Sequence, residues 1–129
     1  MSEESVAGSL YERVGGRPWF EALVERFYAG VATDPVLRPL YPEDLRESRE
    51  HLAAFLVQYW GGPATYSQQR GHPRLRMRHA PFAIGPAEAA AWYLHMESAV
   101  RGGGLDPDDE VLVLDYFRRA ARHLINHAG

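Results

Sequence analysis

Apolar residues recur along this chain at helical spacing, in runs closed by glycine and opened by proline. Leu10, Tyr11 and Val14 mark a short first helix, and Gly15-Gly16 stops it. Pro18 suits a first helical position. Trp19, Phe20, Leu23, Val24, Phe27, Tyr28 and Val31 then follow at the three-and-four spacing of one helical face. Thr33-Asp34-Pro35 predicts a cap for one or two helical turns carrying Val36, Leu37 and Leu40. Beyond Tyr41-Pro42 an amphipathic helix is expected to reach about Trp60, with Leu52, Phe55, Leu56 and Tyr59 as its stripe. Gly61-Gly62-Pro63 ends it.

Residues 63–73 are polar, with Gly and Pro at both ends, and read as a loop. Residues 74–79 read as a short helix that Pro81 limits. Pro86 opens the next helix, with Trp92, Met96, Ala99 and Val100 on one face, and Gly102-Gly103-Gly104 breaks it. Asp106-Pro107 is a second cap-plus-first-position signature. Val111, Leu114, Phe117, Ala121, Leu124 and Ile125 mark a long last helix. No alternating strand pattern and no internal repeat interrupts this series, so the expected fold class is all-α. At 129 residues the expectation is one domain over 1–129, with 1–8 as a flexible N-terminal extension. Such a chain can enclose a core together with one ligand.

Composition narrows the chemistry. A formal net charge of −3 argues against a general nucleic-acid binder. The absence of Cys excludes disulfides, thiolate ligands, iron–sulfur clusters and covalent haem attachment through C-x-x-C-H. The N-terminal MSEESVAGSL is acidic and lacks an apolar stretch. No run of about 18 apolar residues follows, so neither a signal peptide nor a membrane span is expected, and the location expected is cytoplasmic.

The distribution of charge says more than the total. From His51 to Ala87 there is no Asp or Glu, whereas Arg70, Arg74, Arg76, Arg78, His51, His72 and His79 all fall in that window. By count such a stretch is more commonly a solvated basic loop. It could instead seat one compact dianion. His123 and His127 stand four apart near the end of the last helix, but the Glu of H-E-x-x-H and an evident third ligand are missing. Dipole partners at a helix C-terminus are the commoner use of such residues. The chain has no nucleophile elbow, P-loop or dinucleotide turn.

His79 is a stronger candidate. Leu75 and His79 are one helical turn apart, so an inward Leu75 brings His79 inward, flanked by Arg76 and Arg78. A lone inward His is usually a hydrogen-bonded core residue. Here Pro81 forces the chain out of helix at once, and Met77, Phe82 and Ile84 suit a flat hydrophobic ligand better than a solvated imidazole. A haem meets each requirement: one neutral imidazole for iron, an apolar slot for the macrocycle and cations for two propionates. The facing wall needs polar handles, and Tyr28, Tyr41 and Trp92 lie on apolar stripes. Singly each is ordinary core; together their hydroxyls and indole N–H point to a shared polar target such as dioxygen.

The stretches RFYAGVATDPVLRPLYPEDL and FLVQYWGGPATYSQQRGHPRLRMRHAPFAIGP closely resemble group II truncated haemoglobins of bacteria, and the resemblance runs from about Leu10 to Ile125. It implies a shortened globin, a two-over-two helical sandwich around haem b (iron protoporphyrin IX). It implies His79 as proximal iron ligand, Tyr28 and Tyr41 as distal hydroxyls and Trp92 as the distal indole that marks group II. Leu52 and Phe55 would line the distal side, with Leu56, Met77 and Phe82 against the haem, and Ser48 would occupy the distal helix position that is His in ordinary globins. Arg76, with Tyr66, His72 or Arg78, would meet the propionates. The function implied is reversible binding of dioxygen, NO, CO or peroxide with slow release, which favours redox chemistry on the bound ligand over bulk transport. NO dioxygenation or peroxide reduction would each need an external reductase. A haem-based gas sensor and an oxygen store are the alternatives, and 129 residues leave little room for a sensor's output module. A homodimer is the assembly considered.

Overall fold

Ser9 opens the first helix by accepting a hydrogen bond from the Glu12 backbone N–H, while the Glu12 carboxylate accepts from the Ser9 N–H. This reciprocal capping box starts α1, Leu10–Arg13, and two orphan donors are satisfied by it. The computed structural model describes residues 8–63 and 84–125. Gly15 and Gly16 both adopt positive φ, 93° and 92°, which turns the chain sharply into α2, Arg17–Ala32. A short 3₁₀ turn, Arg38–Leu40, precedes α3, Arg46–Tyr59. The described part ends with α4, Pro86–Arg101, and α5, Pro107–Leu124. Proline stands at the first turn of α2, α4 and α5, where its missing N–H costs nothing. The described residues contain no strand.

The helices pack as two pairs. α2 lies on α3, α4 lies on α5, and α2 also contacts α4 to join the pairs. Phe20, Leu23, Val24, Phe27, Tyr28 and Val31 form the buried face of α2, as its periodicity predicts. Trp92, Met96, Ala99 and Val100 do the same for α4. On α3, Leu52 through Val57 are buried without a break, so this stretch is enclosed on all sides. Polar clasps tie the ends: Trp19 Nε1 donates to the Gly103 carbonyl at 2.9 Å, and Arg26 Nε donates to the Ala99 carbonyl at 2.9 Å. The Tyr11 N–H donates to the Trp60 carbonyl at 3.0 Å, which fixes α1 against the end of α3.

Two assignments within the stripes change. Val111 is 68 % exposed and Val113 is buried in its place. At 100° per residue Val113 falls about 20° beyond Leu124 at one edge of the arc set by Leu114, Phe117, Ala121 and Leu124, whereas Val111 falls about 60° beyond Leu114 at the other edge. Tyr59 is 50 % exposed. Its ring stacks over Phe55 at 6.3 Å and against Tyr116 at 4.3 Å, as an outer cover on the core.

Candidate functional site

The α2–α4 contact brings together the three polar aromatic groups singled out in the sequence. Tyr28 sits in the last third of α2 and Trp92 midway along α4, both buried. Tyr41 comes from the segment between them in sequence, just after the 3₁₀ turn. Phe27 is the packing scaffold: its ring meets Tyr28 at 5.0 Å and Trp92 at 5.8 Å, both edge-on. Phe117 on α5 supports the other edge of Trp92 at 6.0 Å. Leu52, Phe55 and Leu56 of α3 belong to the same core cluster, as does Ile84.

The Tyr41 phenol oxygen is the hub. Burial pushes its pKa up to about 12, against hydrogen bonds with Trp92 and Tyr28 that favour the phenolate. The indole N–H can only donate, so Tyr41 accepts from it. Tyr28 is raised well above its ordinary value, first by burial and then by Tyr41, as fits a hydroxyl that donates to its neighbour. Tyr41 as a residue is partly buried, and burial is the first cause of its raised pKa. Arg49 on α3, which the sequence reading passed over, stands close enough to favour the ionised form of Tyr28 weakly.

The donor count of this cluster bears on what it can hold. Two phenol hydroxyls and one indole N–H lie together here, with the Tyr28 and Tyr41 rings 5.5 Å apart and Phe27 packed edge-on against both Tyr28 and Trp92. The surroundings are apolar, and among the described residues no Asp, Glu, Lys or Arg is fully buried there. A small, partly anionic acceptor against an apolar wall matches that set. Such a set would suit one wall of a haem pocket. His79, Tyr66, His72, Arg76, Met77, Arg78 and Phe82 lie outside the described residues.

The His123–His127 pair reads differently. His123 is exposed, and its Nδ1 lies 2.9 Å from the Arg119 carbonyl one turn earlier, a contact of the helix with its own last turn. His127 lies outside the described residues.

Comparison with known proteins gives one answer. The model of the bacterial-like globin family matches residues 9–126. The group 2 truncated hemoglobin YjbI of Bacillus subtilis is 39 % identical over 116 residues, which is 90 % of this chain and 87 % of that protein. The crystal structure of the hemoglobin of Chloroflexus aurantiacus superposes with a TM-score of 0.90 at 49 % identity, covering 93 % of this chain and 99 % of that one. The thermostable hemoglobin of Thermobifida fusca superposes with a TM-score of 0.89 at 51 % identity, covering 92 % and 98 %. The chain belongs to the truncated haemoglobins, in group II, with their two-over-two globin fold.

Proposed function

We infer that this protein binds dioxygen and related diatomic ligands at a haem b whose iron is held by His79, and that it releases dioxygen slowly. The family implies the haem and small gaseous ligands. The observation that supports the finer reading is the packing of Tyr28, Tyr41 and Trp92, three polar aromatic side chains, into one apolar cluster. When bound, the haem supplies an iron centre for diatomic ligands and electron exchange.

The chain's own residues do the rest. Leu52, Phe55, Leu56, Met77 and Phe82 would shield the faces of a haem from water, and Arg76, with Tyr66, His72 or Arg78, would meet its propionates. Trp92, Tyr41 and Tyr28 would offer their N–H and O–H donors to a bound ligand. Packing against Phe27 and Phe117 holds the Trp92 indole in place, so little reorganisation would be needed when a ligand enters. A hydrogen bond to a partly charged acceptor contributes ~1.5–3 kcal/mol. If it is lost wholly on dissociation, release slows by ~10- to 150-fold. Slow release suits chemistry on the retained ligand, NO dioxygenation or peroxide reduction, with electrons from a separate cytoplasmic reductase. A homodimer is the assembly proposed. Among the described residues no helix is long and apolar enough to cross a membrane.

The test is an absorption spectrum of the purified protein, oxidised, reduced with dithionite, and reduced under CO. A five-coordinate ferrous spectrum that converts to a six-coordinate CO form is expected. A colourless protein that takes up no added haemin overturns the proposal.

A further inference from the structure

Asp34 and His95 join the two elements that carry Tyr41 and Trp92. Asp34 lies just beyond the end of α2. Its Oδ1 accepts from the backbone N–H of Val36 at 2.7 Å and of Leu37 at 3.3 Å, and its carbonyl accepts from the Arg38 N–H at 2.8 Å. Its Oδ2 lies 2.6 Å from Nε2 of His95 on α4. His95 follows Trp92 by three positions, so the two side chains are neighbours on one helical face. Gly30 makes room for this crossing: a Cβ there would collide with the His95 imidazole. The pair is mostly shielded, with side-chain exposures of 30 % for His95 and 16 % for Asp34.

The far end of the same segment is tied as firmly. The Arg38 guanidinium donates to the carbonyls of Tyr41 at 3.2 Å, Pro42 at 2.9 Å and Glu43 at 2.7 Å. The Tyr41 N–H donates back to the Arg38 carbonyl at 3.2 Å. Residues 34–43 therefore form a strap that Asp34 anchors at its start and Arg38 at its end. The second oxygen of Asp34 is what locks that strap to α4.

We propose that the Asp34–His95 bridge is a positioning pair for the distal site, setting the Trp92 indole against the Tyr41 oxygen and so setting which donor a bound ligand meets. This rests on the distal reading of Tyr41 and Trp92. Neither Asp34 nor His95 touches the ligand; both act through the two aromatic groups. A bridge that merely held the fold would loosen everything on removal. A positioning bridge loosens the ligand that depends on hydrogen bonds. Dioxygen carries more negative charge on its outer atom than CO does, so the two ligands separate these cases.

The experiment compares holoprotein variants by stopped-flow dissociation of dioxygen and of CO, and by the C–O stretching band of the CO form. Asp34→Ala should speed dioxygen release by about fivefold or more, while CO release stays within about twofold. The C–O band should broaden or split as the donors sample several positions. Asp34→Asn keeps an oxygen for the Val36 and Leu37 N–H groups and offers an amide to the imidazole, so it should recover most of the wild-type rate. Where Asp34→Ala does not retain haem, His95→Leu removes the bridge and leaves the strap's own cap in place, and it should show the same selectivity. On a Trp92→Phe, Tyr41→Phe background the Asp34 effect should vanish. Equal acceleration of both ligands, or an unchanged dioxygen rate with a lowered melting temperature, overturns the proposal. If Trp92→Phe and Tyr41→Phe alone leave dioxygen release unchanged, the distal reading itself falls, which is a distinct result.

Discussion

Tyr28 and Tyr41 stand edge to face, with ring centroids 5.5 Å apart and ring planes 86° apart. Burial keeps both phenols protonated far above neutral pH, with Tyr41 pushed up to about 12 and Tyr28 well above its ordinary value. Both therefore remain donors wherever the protein works. Because Tyr41 is coupled to both Tyr28 and Trp92, the three groups act as a unit.

A unit of this kind predicts non-additive losses. Trp92→Phe should speed dioxygen dissociation by ~10-fold or more, since the indole N–H has no substitute of equal rigidity. Tyr41→Phe should cost less, because it frees the Trp92 and Tyr28 donors to turn to the ligand. The double variant should depart from the sum of the singles by about 0.5 kcal/mol or more. Stopped-flow measurement of the three variants decides it. A Trp92→Phe rate within about twofold of wild type would mean that Trp92 is packing alone.

The scaffold of this site was legible in the sequence and its internal geometry was not. Pro18, Pro86 and Pro107 with the glycine pairs mark helix ends through backbone chemistry that needs no tertiary contact. The stripes on α2 and α4 were legible because burial on one face leaves a period. Val113 was within reach of the same arithmetic, as was the Ser9–Glu12 capping box, written as SLYE. The partnership of Asp34 with His95 is another matter: 61 positions separate them. Asp34 reads locally as a cap, which it is, and nothing local reveals that its other oxygen reaches α4. Gly30 likewise resembles a weak spot in a helix until the imidazole beside it is seen.

His79→Ala should largely abolish stable haem binding. The proposed ligand is a single imidazole, and His72 on the same stretch is the nearest substitute in sequence. Haem titration followed by absorption is the measurement. A variant that keeps a normal five-coordinate ferrous spectrum would remove His79 from the iron.

The apo-protein should melt well below the haem-loaded form. A ligand that binds only the native state stabilises it by RT ln(1 + [L]/Kd), about 4 kcal/mol when its concentration is a thousandfold above Kd. Calorimetry of the protein before and after haem extraction, with reconstitution as the control, gives the difference. Equal melting temperatures would show that the apolar slot closes without its ligand.

The last prediction concerns acid. The Asp34 carboxyl is held below its ordinary value of 3.8, first by the hydrogen bond to His95 and then by the Val36 N–H. A carboxyl whose folded pKa is depressed stabilises the fold above its unfolded pKa, and that contribution is lost as pH falls through the depressed value. The melting-temperature gap between wild type and Asp34→Asn should thus be full above about pH 5 and shrink steadily below about pH 4. Asp44 is the control. Arg46 holds it lower still, to about 2. Yet the side chains of that pair are 78 % and 61 % exposed, so water and salt screen the interaction more than they screen the half-buried Asp34–His95 pair. Asp44→Asn should accordingly move the melting temperature less than Asp34→Asn, despite the larger shift. What it does move should disappear at high ionic strength. Melting curves of the three holoproteins from pH 3 to 7, at low and high salt, test both halves. An Asp34→Asn gap that persists unchanged at pH 3 would mean that the amide has lost shape rather than charge. A salt-resistant Asp44 effect larger than that of Asp34 would show that shielding does not decide which of the two carboxylates matters.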